Sequence, residues 1–263
     1  MAQRLAAAQT HFLFFNAARF TLGALTVFII SHGRLGIPTW TELRGGLLAG
    51  LILFGGAAFQ QAALEFTTAG KAGFITGTYV ILIPIYLALV ARKAPRPVVW
   101  LGALSALVGL LLLSVTEGFS LAPGDGLVLG GALLWAWHVI LIDRLANRVQ
   151  VLRLALVQYL VCAAFSMGTG VVLTDAALPA LAPVWGAVLY AGVVSVGLAY
   201  TLQLVGQQTA PPADTAIILS SEAVFAALFG WMLLGEVLSP RQLLGSALML
   251  AGVLIAQASA FRK

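Results

Sequence analysis

The sequence predicts an all-α integral membrane protein, a polytopic helix bundle made of two inverted repeats. The composition, nine long apolar segments and an internal repeat at a fixed offset support this prediction. Apolar residues make up 61% of the 263 residues and charged residues only 9%, whereas soluble domains carry about 25% charged residues. The mean hydropathy of +1.02 agrees with these percentages. A soluble globular protein is therefore excluded.

Nine apolar segments have about the length needed to cross a bilayer as helices, which is roughly 20 residues. Their lengths favour helices over a barrel, whose strands have about ten residues of alternating polarity. The connections are short and leave no room for a soluble domain. The segments are residues 11–30, 43–64, 72–91, 98–114, 127–142, 152–173, 184–205, 213–234 and 243–260.

Part of the chain is repeated at an offset of 143 residues. Most of the matches lie where Pro97 and Pro240 each open an apolar segment that carries two glycines seven residues apart. Because a repeat at one fixed offset is typical of duplicated modules, we predict an internal duplication. The identical pairs are Gln60 and Gln203, Ile75 and Ile218, Pro97 and Pro240, Leu101 and Leu244, Gly102 and Gly245, Leu107 and Leu250, Gly109 and Gly252, and Leu111 and Leu254.

The two copies lie five segments apart, and an odd offset reverses the orientation of the second copy in the membrane. Inverted repeats of this kind are a transporter signature. The partner of segment 127–142 would fall almost wholly before Met1. We therefore expect a first repeat over 1–118 that lacks its first helix, through a start at an internal methionine rather than a nine-span design, and a second repeat over 119–263.

Basic residues in the connections predict the orientation of the chain. One side holds ten of them and the other three, so the positive-inside rule places the first side and the C-terminus in the cytoplasm. This fits a multi-pass protein of the cell membrane, the inner membrane in a prokaryote. The ten are Arg34, Arg44, Arg92, Lys93, Arg96, Arg144, Arg148, Arg153, Arg262 and Lys263, and the three are Arg4, Lys71 and Arg241.

Local patterns predict helix ends and close contacts. Ser239, Pro240 and Gln242 form a predicted capping box that opens the last helix. Glycines four residues apart at 46 and 50, and again at 126 and 130, predict close helix packing in lipid. Cys162 is the single cysteine, which excludes an intrachain disulfide.

Three sequence motifs resemble the drug/metabolite transporter superfamily in its EamA-type branch. They are NAARF at 16–20, TTAGKAGFIT at 67–76, and SEAVFAAL at 221–228 followed by LGE at 234–236. The resemblance implies two inverted five-helix halves with cytoplasmic termini. It also implies export or exchange of amino acids, other metabolites or drugs. Ala223 stands where the family often has proline, so the resemblance does not imply a kink there.

Glu222 is the strongest candidate functional residue, because it lies near the middle of segment 213–234. An acidic side chain at this depth costs about 2.5 to 3.5 kcal/mol on insertion scales, so we expect it to face protein or water. It would bind a substrate amine or carry a proton. The structural alternative is a hydrogen bond to Ser220 or Ser221, or an ion pair with Arg19.

The repeat places Tyr79 at the position equivalent to Glu222, so we expect both at mid-depth. Gln60 and Gln203 form a second equivalent pair, and Tyr200 lies one turn before Gln203 on the same face. These four are predicted to contact substrate. The alternative for each is ordinary packing with its polar group satisfied inside the protein.

Trp135 and His138 share a stripe of segment 127–142 and are predicted to contact substrate, His138 also as a possible site of proton coupling. Trp135 and Trp137 form either an aromatic wall or simple packing. Arg19 pairs with Glu222 or holds a substrate carboxylate, the pairing being preferred. Three charged residues at helix ends are expected to be solvated or to cap helices: Glu65, Lys71 and Glu236.

These features favour a secondary transporter that moves a small organic metabolite, such as an amino acid, by alternating access around a midplane cavity. Export or exchange is preferred over import or drug efflux by the same fold, or a non-transporting membrane subunit. Sequence motifs of hydrolases, metalloenzymes and ATP-binding loops are absent, so no enzyme, cofactor or metal is expected. The expected partners are a small solute, the lipid bilayer and protons as coupling ion, with no nucleic acid, and a monomer is expected.

Overall fold

The structure, a computed structural model, describes residues 10–115, 123–174, 184–235 and 237–258. These residues form helices and short connections without any β-strand, which confirms the predicted all-α class. Nine spans within the described ranges are long and apolar enough to cross a membrane. They are Phe12–Ile30, Trp40–Ala63, Gly70–Leu89, Pro97–Ser114, Asp125–Ala146, Val151–Leu173, Trp185–Gly206, Pro212–Met232 and Pro240–Ala258.

Three of the nine spans consist of more than one helical element, so there are twelve α-helices and one π-helix. The π-helix Tyr190–Tyr200 joins α8 to α9 within a single span. The α-helices are α1 Phe12–Ile30, α2 Trp40–Ala63, α3 Ala69–Gly77, α4 Tyr79–Leu89, α5 Pro97–Ser114, α6 Asp125–Ala146, α7 Val151–Leu173, α8 Trp185–Leu189, α9 Thr201–Gly206, α10 Pro212–Ser220, α11 Glu222–Leu234 and α12 Pro240–Ala258.

The chain divides into two compact units, each made of two separate stretches. Unit 1 contains Met1–Phe66 and Ile140–Thr209, and unit 2 contains Thr67–Val139 and Ala210–Lys263. One of the three boundaries between these stretches, between Val139 and Ile140, falls inside α6. Each unit therefore combines helices from both halves of the sequence.

In unit 1, α1 packs against α7 and the π-helix, and α2 packs against α7. Close approach of α2 and α7 depends on glycine. A Cβ atom at Gly50 would lie 2.6 Å from Cβ of Val161 and 2.7 Å from the carbonyl oxygen of Gln158. A Cβ atom at Gly46 would similarly lie 2.5 Å from Val157. The predicted small-residue contact at residues 46 and 50 is confirmed.

In unit 2, α5 and α12 pack together through the repeated glycines. A Cβ at Gly102 would lie 2.7 Å from the oxygen of Gly252, and one at Gly109 would lie 2.5 Å from the oxygen of Gly245. Gly102 thus meets the repeat equivalent of Gly109, and Gly109 meets the repeat equivalent of Gly102. Such reciprocal contacts are what a two-fold axis produces.

A hydrogen bond marks the centre of this crossing. Ser105 Oγ donates to the carbonyl oxygen of Leu248 over 2.8 Å, and the two residues are 143 positions apart. Repeat-equivalent residues therefore touch at the crossing point, while the glycines on either side meet in reverse order. The α5 and α12 helices run antiparallel, as inverted copies must.

The beginning of the last helix agrees with its predicted cap. Backbone N–H of Ser239 donates to Gln242 Oε1 over 2.9 Å, and N–H of Gln242 donates to Ser239 Oγ over 3.3 Å. The predicted close packing at Gly126 is wrong, because no atom lies within 4 Å of a Cβ built there. Gly126 lies on the exposed side of the first turn of α6, whereas its neighbour Asp125 is buried.

Lys71 was expected to be solvated or to cap a helix, but it forms an ion pair instead. Its Nζ lies 2.8 Å from Asp125 Oδ2, with side-chain exposures of 13% and 9%. Thr67 Oγ1 donates to the other carboxylate oxygen over 2.9 Å. The Asp125 carboxylate at the first turn of α6 therefore links the start of α6 to the start of α3. Glu65 is exposed as expected, and Glu236 lies outside the described residues.

Candidate substrate-binding residues

Two membrane spans of unit 2 are broken at equivalent positions. The sequence predicts a continuous helix over 72–91 and another over 213–234. Instead, α3 ends at Gly77 and α4 starts at Tyr79, while α10 ends at Ser220 and α11 starts at Glu222. The residues between the half-helices, Thr78 and Ser221, are 143 positions apart. The repeat therefore extends to the position of the break.

The two breaks have the same hydrogen bonds. Thr78 Oγ1 donates to the oxygen of Ile75 and Ser221 Oγ to the oxygen of Ile218, both over 2.6 Å. The backbone N–H groups of Thr78 and Ser221 donate to the same two oxygens, over 3.2 and 3.0 Å. In both turns the backbone N–H thus bonds to the carbonyl three residues earlier instead of four, as in a 3₁₀-helix. The side-chain hydroxyl of the same residue bonds to that carbonyl as well. The break in α10–α11 needs no proline, so Ala223 does not abolish it.

Tyr79 and Glu222 are the first residues after the breaks. Tyr79 is 7% exposed, whereas the Glu222 side chain is exposed. Within the described ranges, no hydrogen bond or ion pair engages the Glu222 carboxylate. The Ser220 and Ser221 hydroxyls donate instead to carbonyl oxygens of their own helix. The proposed structural bond from these serines to Glu222 is therefore wrong.

His138 and Trp135 lie together on α6 within unit 2. Their ring centroids are 6.1 Å apart in an edge-on arrangement, and His138 is 3% exposed. Trp137, by contrast, is 57% exposed and lies 6.2 Å from the ring of Tyr86. Trp137 thus belongs to an exposed aromatic contact, separate from the Trp135 and His138 pair.

Three predicted residues belong to unit 1, namely Gln60, Tyr200 and Gln203, and all are half-buried. Gln203 Nε2 donates to Gln207 Oε1 over 3.4 Å, one turn further along the chain. Tyr200 is the last residue of the π-helix. The buried glutamines of the described part of unit 1 are others, which were not predicted to contact substrate: Gln61, Gln158 and Gln207.

The π-helix packs directly on α1. A Cβ at Gly192 would lie 3.0 Å from the oxygen of Arg19, and one at Gly197 would lie 2.6 Å from Thr26 Cβ. π-Helical turns are rare and occur frequently at functional sites. The equivalent span in the first half, α2, is a regular α-helix. The irregular helix is thus confined to one of the two copies.

Sequence reasoning missed a buried polar cluster around Arg19. Arg19 is 1% exposed and forms no ion pair within the described part of unit 1, and the preferred pairing with Glu222, a residue of unit 2, stays a prediction. Asn16, one turn earlier, is fully buried. Nearby, the Tyr159 and Thr201 hydroxyls are 3.2 Å apart. The available signal was two polar residues three positions apart in an apolar segment.

Unit 1 also contains a second ion pair. Arg153 Nη1 lies 3.4 Å from Glu42 Oε2, and the Glu42 carboxylate accepts the backbone N–H groups of Thr39 and Gln150. This pair joins the first turn of α2 to the first turn of α7. In the described part of the chain, no three His, Cys, Asp or Glu side chains cluster as metal ligands would.

Comparison with known proteins identifies the family. The model of the EamA-like transporter family matches residues 1–115 and 122–257. An uncharacterized transporter of Archaeoglobus fulgidus is 33% identical over 245 residues, which cover 92% of this chain and 75% of that protein. The uncharacterized transporter YwfM of Bacillus subtilis is 28% identical over 211 residues, covering 74% of this chain and 69% of its own.

A solved crystal structure supports the fold. It superimposes with a TM-score of 0.80 at 23% sequence identity, over 98% of this chain and 91% of that chain. At this identity the likeness concerns the fold alone. The family match and the relatives together cover nearly the whole chain, and the protein is therefore a multi-pass membrane protein of the EamA-like transporter family, within the drug/metabolite transporter superfamily.

Proposed function

We propose that this protein is a secondary transporter that moves a small organic metabolite across the membrane by alternating access. The observation that carries the proposal is the pair of broken helices, α3–α4 and α10–α11, with equivalent breaks at Thr78 and Ser221. Discontinuous spans in equivalent positions of two repeats are typical of secondary transporters, where they form the substrate site near mid-depth.

A break inside a span exposes backbone polar groups that a continuous helix would satisfy. Such groups are tolerated at membrane depth only where they are buried in protein or line a water-filled cavity. At Thr78 and Ser221, side-chain hydroxyls occupy part of the freed carbonyl capacity. The carbonyl oxygens of Thr78 and Ser221 in turn accept N–H groups three and four residues later, so each break is a local tightening, and we propose that the polar side chains beside it contact the solute.

Glu222 is the proposed residue for cation or proton binding. It is exposed at the middle of a span and accepts no bond from any described residue. An ionised carboxylate facing lipid would cost about 2.5 to 3.5 kcal/mol, so we infer that it faces water on the transport path. There it takes up a proton or the ammonium group of a solute, and buried His138 is a second candidate for proton coupling.

We further propose that the substrate contacts Gln60, Tyr200 and Gln203 in unit 1 and Tyr79, Trp135, His138 and Glu222 in unit 2. Export or exchange of an amino acid is the preferred activity, with import or drug efflux as the alternatives within this family. A non-transporting role is the alternative from another class. The proposed repeats are residues 1–118 and 119–263, and the proposed location is the cell membrane with a cytoplasmic C-terminus.

Solute counterflow in proteoliposomes tests this function. Vesicles containing the purified protein are preloaded with a mixture of amino acids, and uptake of each radiolabelled amino acid is followed across pH 5 to 8. Saturable exchange that depends on the trapped solute supports a carrier. Linear, non-saturable flux supports a pore, and no flux of amino acids or of a wider metabolite panel supports a non-transporting role.

The variant Glu222→Gln tests the role of the carboxylate. We expect exchange to fall by at least tenfold, comparable with the loss of one charged hydrogen bond, about 2 kcal/mol. Its pH dependence is also expected to flatten. The exposed Glu65→Gln is the matched control, because it removes the same charge at a helix end. Exchange and pH dependence equal to wild type in Glu222→Gln would remove Glu222 from the mechanism.

A further inference from the structure

The Arg19 guanidinium is a buried cation without a counter-ion. Arg19 is 1% exposed, and its Nε and Nη2 atoms have no hydrogen-bond partner among the described residues. No carboxylate in the described part of unit 1 lies within ion-pair distance of it. Buried charges are normally paired. The described atoms of unit 1 therefore leave the charge of Arg19 without compensation.

A second buried group shares this deficit. Asn16 lies one turn before Arg19 on the same face of α1, and it is fully buried. Both of its side-chain atoms, Nδ2 and Oδ1, are without a hydrogen-bond partner in the described part of the chain. Because buried polar groups are normally hydrogen-bonded, these two neighbouring side chains have donors and an acceptor available for a polar ligand.

The surroundings stabilise a cation without neutralising it. The Arg19 guanidinium carbon lies 4.9 Å from the ring centroid of Phe20 and 5.5 Å from that of Phe15. Ring faces attract a cation but leave its N–H donors free. Tyr200 and Cys162 are near enough to interact with Arg19 electrostatically. All the residues named in this paragraph belong to unit 1.

We propose that Arg19, together with the Asn16 amide, forms a binding subsite for a small oxyanion, either a carboxylate or a phosphate group. The planar guanidinium presents N–H donors in a fork that matches both groups. The Asn16 Nδ2 atom adds a neutral donor. This subsite rests on the proposed transport function. It adds to that function that the transported solute carries an anionic group.

The single cysteine allows a test that does not depend on knowing the solute. Cys162 is fully buried, so its thiolate is expected to react with a methanethiosulfonate, forming a disulfide as methanesulfinate leaves, only if the reagent can enter the Arg19 subsite. Purified protein in liposomes is treated with the anionic sulfonatoethyl reagent or the cationic trimethylammonium-ethyl reagent. Each rate is normalised to reaction with free mercaptoethanol, and Cys162→Ser gives the background. We expect the anionic reagent to be favoured at Cys162.

Arg19 variants separate the charge from the fold. In Arg19→Gln, the normalised anionic-to-cationic rate ratio is expected to fall by about tenfold or more, given the strength of charge interactions over a few ångströms inside protein. Arg19→Lys should keep most of the preference, and Arg148→Gln, an exposed arginine of the same unit, should keep all of it. Equal ratios in wild type and Arg19→Gln, or no labelling by either reagent, would overturn the proposal.

Protection identifies the ligand class. Acetate, inorganic phosphate and neutral acetamide are each added at matched ionic strength during labelling with the anionic reagent. Slower labelling with acetate or phosphate, lost in Arg19→Gln, supports the subsite and distinguishes carboxylate from phosphate. Protection by acetamide equal to that by acetate, or no protection by any probe, contradicts it.

Counterflow on the same preparations keeps this inference separate from the proposed function. Anion-dependent protection without solute exchange would leave the subsite standing while the carrier function fails. Saturable exchange that is the same for wild type and Arg19→Gln, with no change in labelling ratio, would leave the carrier standing and remove the subsite.

Discussion

The two units differ in how closely they keep the internal repeat. In unit 2, the breaks at Thr78 and Ser221 have matching hydrogen bonds, and the glycines of α5 and α12 meet reciprocally. In unit 1, one copy of a repeated span is the regular helix α2, whereas the other contains the π-helix Tyr190–Tyr200. Unit 1 also holds Arg19, a buried cation with no ion-pair partner in the described part of that unit.

This difference suggests a division of labour. Backbone features that any inverted-repeat carrier needs, such as a close crossing and paired breaks, are kept the same in both copies. Features that recognise one particular solute have no reason to be symmetric, because the solute itself is asymmetric. We therefore interpret the repeat-like contacts of unit 2 as the transport framework and the irregular polar cluster of unit 1 as a source of specificity.

The largest expected effect concerns the α5–α12 crossing. Gly109→Ala places a Cβ 2.5 Å from the Gly245 oxygen and 2.6 Å from Met249 Cγ. We expect it to lower the free energy of unfolding by about 1 to 3 kcal/mol, the usual cost of overpacking. Its repeat equivalent Gly252→Ala, whose Cβ would lie 2.6 Å from the Gly102 oxygen, should cost a similar amount by symmetry. Thermal unfolding in detergent measures both.

Gly126→Ala is the control for this pair, because a Cβ there meets no atom within 4 Å. It should leave stability unchanged or raise it by up to about 1 kcal/mol through reduced chain entropy. A loss in Gly126→Ala as large as in Gly109→Ala would show that the crossing is not the cause. Unequal losses at Gly109 and Gly252 would show that the repeat does not extend to the energetics of the crossing.

The next effect compares the two ion pairs. Lys71 and Asp125 in unit 2 are 2.8 Å apart and little exposed, whereas Arg153 and Glu42 in unit 1 are 3.4 Å apart with Arg153 more exposed. Double-mutant cycles with Gln and Asn substitutions should give a coupling of about 1 to 3 kcal/mol for the first pair and below about 1 kcal/mol for the second. The reverse order would contradict the geometry.

The smallest expected effect concerns the two breaks. Thr78→Val and Ser221→Ala each remove one hydroxyl that donates to a carbonyl over 2.6 Å. Each should lower the free energy of unfolding by about 0.5 to 1.5 kcal/mol, the net contribution of one hydrogen bond. Because the two turns are equivalent, the losses should agree to within experimental error. Clearly different losses would show that the repeat does not extend to their energetics.

Much of the fold followed from the sequence because span length and local capping are short-range properties. Hydropathy located nine spans, and Ser239 and Gln242 form the predicted cap. The fixed offset of 143 residues singled out the repeated glycines of the two segments, although their contacts with each other became visible only in the structure. These signals need no knowledge of tertiary contacts.

The remaining features depend on competition that hydropathy does not measure. A hydroxyl that bonds to a carbonyl of its own helix accompanies the tightened turn at Thr78 and at Ser221, although each segment is long and apolar enough to predict one continuous helix. Lys71 finds its partner Asp125 far along the chain, so the sequence suggested a solvated lysine. Groups around Arg19 also come from distant parts of the chain, so the general tendency of buried arginine to form ion pairs did not predict them.

The accessibility of position 222 tests the central claim most directly. Glu222→Cys in a Cys162→Ser background is reconstituted in liposomes, and a membrane-impermeant thiol reagent is added to one side and then to the other. Leu101→Cys, at an exposed position of α5, is the control. We predict labelling of position 222 from both sides and none at position 101. Position 222 remaining as unreactive as position 101 would place Glu222 against lipid and contradict the proposed transport path.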